Sequence, residues 1–150
     1  MLATLFLSLA AVAAQQTPTE SWRVVKDSKG LCQIAVPPDW ETLFENAGAA
    51  VFHDASNAIA VVTSQPNQAF KPLPDNLQRL LGIRKDKLFE NTANRIFYQE
   101  RVSRNPDSPN AYSVSVPGKT GTCSCHLVML PSTPEETAKK IALSLRPVEP

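Results

Sequence analysis

The chain has 150 residues, a formal net charge of +1, and acidic and basic residues interspersed along its length. This length favours a single domain, and the balanced charge excludes both a basic surface for nucleic acid and an acidic tail. The 13 prolines are scattered between strand-like runs, where they indicate loops.

The N-terminal stretch 1–14, "MLATLFLSLAAVAA", is uncharged and almost wholly apolar, with small residues at its end. Its apolar run of about 13 residues fits a signal peptide and is too short to span a bilayer, although no Lys or Arg precedes it. We therefore predict cleavage near Ala14 and export to the periplasm or the extracellular space, with no transmembrane segment in the mature form. A polar linker with a first short strand would occupy 15–29, and a single domain 30–147.

Alternation of apolar residues predicts the first strands. "SWRVV" is a short candidate, and "GLCQIAV" is a better one because Cys32, Ile34 and Val36 fall on one face. "PPDW" ends that strand, and Trp40 is expected to anchor the next segment onto the core. "AAVFHD" and "AIAVVTSQ" then read as two strands joined through the turn "DASN".

A long loop, "PNQAFKPLP", leads to a short helix in which Asp75 serves as cap, Leu77, Leu80 and Leu81 form the apolar side, and Gly82 ends the helix. Three strand candidates follow, "KLFEN", "RIFYQERV" and "AYSVSV", with the loop "SRNPDSPN" between the last two. "PGKTG" is a further turn, and "TGTCSCHLVML" is the last predicted strand.

The C-terminal segment "STPEETAKKIALSL" carries the start signals of a helix. Thr133 is the predicted N-cap, Pro134 the first helical residue, and Glu136 the acidic member of a capping box. The apolar stripe of this helix consists of Ala138, Ile141, Ala142 and Leu145. "RPVEP" is expected to terminate it.

Many short strands, one middle helix and one closing helix predict an α+β fold in which helices pack on an antiparallel β-sheet. The run "GLCQIAVPPDW" and the closing "AKKIALSLRP" resemble the PsbP-like superfamily, which includes exported bacterial proteins of unknown role. The resemblance covers most of residues 31–147 and implies an α/β/α sandwich. It implies little about function, because members of this group do unrelated work on one fold.

Catalytic signatures are missing from the sequence. No nucleophile elbow occurs, and "GKT" at 118–120 lacks the first glycine of a phosphate-binding loop, because Ser113 stands there. The two histidines, His53 and His126, lie in strand-like runs. Asp54 beside His53 cannot form a dyad with it, since adjacent strand residues point to opposite faces. We therefore expect a non-enzymatic protein without a cofactor.

The stretch "CSCH" allows a metal or a redox interpretation. In a strand, Cys123 and Cys125 share a face at about 6.5–7 Å, while His126 points away. That spacing along the strand disfavours zinc, whose thiolate sulfurs sit under about 4 Å apart, unless a bulge or loop lets the side chains lean together; copper(I) with two thiolates is less demanding. A Cys123–Cys125 disulfide would sit at the strained limit and be easily reduced.

The third interpretation is structural, and we prefer it. Cys32 lies on the apolar face of its strand. An exported protein enters an oxidising compartment, in which pairs of cysteines form disulfides. If the two strands are neighbours, Cys32 can form a disulfide with Cys123 or Cys125, and the remaining thiol is a buried core residue. The sequence does not decide between the two partners. No metal site is expected under this interpretation.

These patterns predict an exported, non-enzymatic binding or accessory module of the cell envelope. The sequence does not identify its ligand or partner, for which an envelope protein and a small ligand are the two candidates. Recognition is expected at the loops "PNQAFKPLP" and "SRNPDSPN", because loops on a rigid scaffold usually carry it. The alternative is a thiol-based copper-handling or redox protein that uses Cys123 and Cys125.

Overall fold

A computed structural model describes residues 21–46, 49–53, 58–100, 108–129 and 134–149. The predicted signal peptide, the turn "DASN", most of the loop "SRNPDSPN" and Thr133 lie outside these residues. The described chain forms ten strands and two α-helices. The strands are β1 (Arg23–Lys26), β2 (Cys32–Val36), β3 (Glu41–Asn46), β4 (Ala49–His53), β5 (Ile59–Pro66), β6 (Leu88–Asn91), β7 (Ile96–Gln99), β8 (Asn110–Pro117), β9 (Gly121–Met129) and β10 (Arg146–Pro147). The helices are α1 (Asp75–Leu80) and α2 (Glu135–Leu143), and a 3-10 turn spans Lys85–Lys87.

The strands form two antiparallel sheets rather than the one expected. The larger sheet has the order β3-β4-β5-β9-β8-β7-β6, and the smaller one has the order β1-β2-β10. Strand β2 packs over β5, and α2 packs over β8 and β9, so the small sheet and α2 together cover one face of the large sheet. The predicted antiparallel α+β class is confirmed. The strands are divided between two sheets, however, because β1, β2 and β10 form a layer of their own.

The hydrophobic core lies between these two layers and follows the predicted alternation. In β9, Cys123, Cys125, Leu127 and Met129 are all buried, while Ser124 and His126 are partly exposed on the opposite face. Trp40 is also buried, as expected for the residue that anchors the chain after "PPDW". Alternate burial with a period of two is what a sheet covered on one face requires.

Helix α2 places its predicted apolar stripe against this core. Ala138, Ile141, Ala142 and Leu145 are at most 2% exposed. The predicted start is shifted by one residue, since Pro134 is the N-cap rather than the first helical residue and makes no side-chain cap bond. Proline suits both positions, because its fixed φ matches a helix entry and its missing N–H needs no partner there.

Two further expectations at element ends are corrected. Asp75 is the first residue of α1 rather than its cap, because the N–H groups of Leu77 and Gln78 bind the carbonyl of Pro74. Gly82 follows the helix with φ +67°, as predicted for a terminating glycine. "RPVEP" does not simply end α2, since Arg146 and Pro147 pair with β2 as β10.

Candidate functional site

A disulfide joins the two sheets at one end of the molecule. Cys32 in β2 bonds to Cys123 in β9, with 5.6 Å between the Cα atoms and a sequence separation of 91. The condition of neighbouring strands, under which the sequence allowed this bond, is not met, because β2 and β9 do not pair in a ladder. They belong to different sheets, and the bond crosses the core between them. Both cysteines are only 1% exposed.

Cys125 is the remaining cysteine, and its thiol lies in the core two residues beyond the disulfide. Burial raises the pKa of this thiol to about 12, because the thiolate would be formed away from water. A thiolate is the form that attacks disulfides and binds soft metals. The structure therefore does not bring Cys123 and Cys125 together as a reactive pair.

We expect the Cys125 thiol to resist alkylation in the folded protein. Because burial raises its pKa to about 12, the thiol stays protonated at pH 8. Iodoacetamide should therefore modify Cys125 only after denaturation, as measured by intact mass against time. Labelling of the native protein at the rate of an exposed thiol would contradict the burial of this residue.

His126 lies on the opposite face of β9, in a polar cluster on the large sheet. Its Nδ1 atom is 3.0 Å from Glu100 Oε1 and 3.4 Å from Ser113 Oγ. Both contacts use the same ring nitrogen, so the histidine cannot pass a proton between a serine and a carboxylate in the manner of a catalytic triad. Burial raises the pKa of neighbouring Tyr98, with Glu100 adding to the rise. No group of three or more metal-ligating side chains occurs within the described ranges.

A cavity of about 230 Å³ adjoins the disulfide. Four separate stretches line it: residues 30–32, 64–66, 118–123 and 148–149. The cavity thus lies at the end of the core where β2, β5 and β9 come together, and Cys32 and Cys123 form part of its wall. Lys119 and Glu149 are exposed at its edge and supply one charge of each sign.

The turn "PGKTG" shapes this cavity, and its prediction as a hairpin turn is confirmed. It joins β8 to β9, and the Gly118 N–H donates to the carbonyl of Gly121 at 2.7 Å. The Asn67 N–H donates to the Thr120 carbonyl at 2.8 Å, which ties the turn to the start of the loop after β5. One loop expected to carry recognition, "PNQAFKPLP", therefore begins at the cavity with Pro66 and continues beside it.

A buried hydroxyl without a partner also lies at this wall. Ser64 is 8% exposed, and its Oγ has no hydrogen-bond partner among the described residues. Ser64 stands directly opposite Cys123 in the β5–β9 ladder. Most buried polar atoms in folded proteins have a hydrogen-bond partner, which an ordered water can supply.

Gly121 is required by the close approach of two strands, and we expect Gly121→Ala to destabilise the protein. A Cβ atom at this position would stand 2.1 Å from the Gln65 carbonyl oxygen. Because the obstacle is backbone, the strands must separate, at a cost of about 1–3 kcal/mol. Gly118→Ala is the matched comparison. It should cost less, since a Cβ atom there would lie 3.2 Å from the nearest atom, the Gly121 carbonyl oxygen. Urea unfolding would compare them, and equal midpoints would contradict the close approach.

No family model matches this sequence, and none of the curated proteins matches it. The similarity appears in solved structures instead. The solution structure of cyanobacterial PsbP (CyanoP) from Synechocystis sp. PCC 6803 aligns with a TM-score of 0.55 and 16% identity, over 94% of this chain and 98% of that one. A crystal structure from Bacteroides thetaiotaomicron VPI-5482 aligns with a TM-score of 0.50 and 10% identity, over 79% of this chain.

The described sheets and helices place the chain in the antiparallel α+β class. The alignment with cyanobacterial PsbP shows that the fold is PsbP-like, which confirms the resemblance drawn from the sequence. The chain spans 46% of the Bacteroides protein. At such low identities the likeness concerns the fold alone. Neither described helix is both long and apolar enough to cross a membrane.

Proposed function

We propose that this chain is an exported, non-enzymatic binding or accessory module of the cell envelope, and that the cavity beside the disulfide is its binding site. The cavity is the observation that carries the proposal, because a concave apolar site with a few polar groups is the usual form of a ligand site. The Cys32–Cys123 bond supports export, since structural disulfides form in oxidising compartments.

The dimensions of the cavity suit a ring-sized apolar group. Its volume of about 230 Å³ exceeds the roughly 150 Å³ of an engineered apolar cavity that binds benzene. Leu31, Val148 and the disulfide provide apolar wall. Ser64 lies in the wall with a hydroxyl that has no partner among the described residues, and Lys119 and Glu149 supply one charge of each sign, so the charges favour neither an anionic nor a cationic substituent.

Nuclear magnetic resonance of the ¹⁵N-labelled chain with benzoate, phenol and indole as probes tests the proposal. We expect the amide signals of Leu31, Gln65 and Thr120 to shift with at least one probe. The response should disappear in Val148→Trp, because the larger side chain would occupy the cavity. The variant should still fold, since the hydrogen bond from the Val148 N–H to the Leu31 carbonyl does not need the side chain. Val24→Trp, an exposed position elsewhere, should respond like the wild type. Shifts that are absent at the cavity, or unchanged in Val148→Trp, would overturn the proposed site.

A further inference from the structure

Strand β3 forms a free edge of the large sheet. Among the residues that the structure describes, β3 pairs with β4 alone, at the end of the order β3-β4-β5-β9-β8-β7-β6. All six residues from Glu41 to Asn46 are exposed. An edge strand presents unpaired backbone N–H and C=O groups along its outer side, which makes it a template for a further strand.

Two large apolar side chains stand next to each other on this edge. Leu43 is 53% exposed and Phe44 is 52% exposed. Adjacent exposed apolar residues favour contact with another apolar surface, whereas glutamates and a bulge on an edge restrict which strands can pair with it. The exposed pair thus lies in the middle of the free strand, with a glutamate two residues before it and another directly after it.

The register with β4 settles which residues share a face. Thr42 and Glu45 stand opposite Phe52 and Ala50, whose side chains are buried, so they share the inner face. Leu43 is the extra residue of a β-bulge. Because of that bulge, the remaining residues share the outer face: Glu41, Phe44 and Asn46.

We propose that β3 binds a second copy of this chain, strand against strand, around a two-fold axis perpendicular to the sheet. Such an axis keeps each residue on its own face, so only residues of the same face can stand opposite each other. One antiparallel register satisfies this for the four residues on either side of the bulge region, and it sets the bulge regions of the two copies against each other. Its pairs are Glu41 with Asn46, Thr42 with Glu45, and Leu43 with Phe44.

This register is also complementary in chemistry, which is why a second copy is the occupant. It places the two apolar side chains of one copy against those of the other, and neither glutamate faces a glutamate. Shifting it by one residue would set Glu41 against Glu45, or Leu43 against Glu45, and would mix the two faces. The edge is six residues long, well below the roughly 20–30 residues that each partner contributes to a stable interface. The dimer is therefore reversible and forms as the protein concentration rises.

Disulfide trapping in the full chain tests the register. Thr42→Cys and Glu45→Cys stand opposite each other between copies, whereas each is three residues away from its own equivalent. Mild oxidation of an equal mixture of the two variants should give a cross-linked dimer, and either variant alone should give little. Native Cys125 does not interfere because it is buried. A mixture that cross-links no better than the single variants would overturn the proposed pairing.

Sedimentation velocity at rising protein concentration tests the interface itself. Phe44→Lys should weaken dimerisation by about tenfold or more, because it places a charge in the apolar centre of the contact. Val24→Lys is the matched control, since Val24 is 52% exposed on another strand, and it should dimerise like the wild type. A wild-type chain that stays monomeric up to millimolar concentration would overturn the proposal, as would equal behaviour of the two variants.

Discussion

Replacing Cys32 with alanine is expected to lower the free energy of unfolding by about 4–5 kcal/mol. The Cys32–Cys123 bond closes a loop with a sequence separation of 91. In the chain-entropy model, a cross-link of this length restricts the unfolded chain by that amount. Native stabilities are about 5–15 kcal/mol, so the loss removes a large share of the total.

Urea unfolding of the variant and of the wild type, each with and without reductant, measures this effect. Reductant should destabilise the wild type and leave Cys32→Ala unchanged. Cys125→Ala is the control, because it removes a buried sulfur but keeps the disulfide, and should cost about 1 kcal/mol. A Cys32→Ala midpoint equal to that of the wild type would show that the bond does not hold the two sheets together.

Replacing Ile141 with alanine is expected to cost about 2–5 kcal/mol, the usual range for a large aliphatic side chain removed from a core. Ile141 is 0% exposed and lies in the centre of the α2 stripe that packs on the large sheet. The deletion leaves a cavity between the helix and the sheet, which neighbouring side chains fill only in part.

Leu143→Ala provides the matched control for that experiment. Leu143 lies on the same helix two residues later and is 49% exposed, so its removal should change the free energy of unfolding by less than about 0.5 kcal/mol. Thermal unfolding followed by circular dichroism would rank the two variants. Similar losses for both would mean that α2 does not dock through the face that contains Ile141.

Local patterns were enough to predict the elements that carry most of the core. In β9 the alternation of Cys123, Cys125 and Leu127 marks one buried face, and the i, i+3, i+4 spacing in α2 marks another. Both patterns are periodic because each element is covered on one side only. The α+β class follows from their order along the chain.

Strand β3 and the division into two sheets could not be predicted in this way. All six residues of β3 are exposed and a bulge at Leu43 interrupts the strand, so "ETLFEN" shows no regular alternation of buried and exposed residues. Strand β10 has two residues, too few for any period. Whether β2 pairs with β9 or packs above it depends on contacts between residues far apart in the sequence, about which local periodicity carries no information.

The candidate site was predictable only in its parts. The cysteines, the "PGKTG" turn and the loop after β5 each had a sequence signal, but the cavity arises from four stretches that are distant in the chain. Cys123 and Cys125 share a face, so the choice of Cys123 as the partner of Cys32 depended on where the small sheet lies above β9. Val148 and Ser64 carried no signal of their own.

Peptide mass mapping of the protein taken from its own cells, with free thiols blocked during lysis, tests the account most directly. The oxidised Cys32–Cys123 pair supports the proposed export, is expected to stabilise the fold, and forms part of the cavity wall. We predict a peptide pair linked through these two cysteines, and Cys125 modified only after denaturation. Recovery of all three cysteines as blocked free thiols would contradict the account.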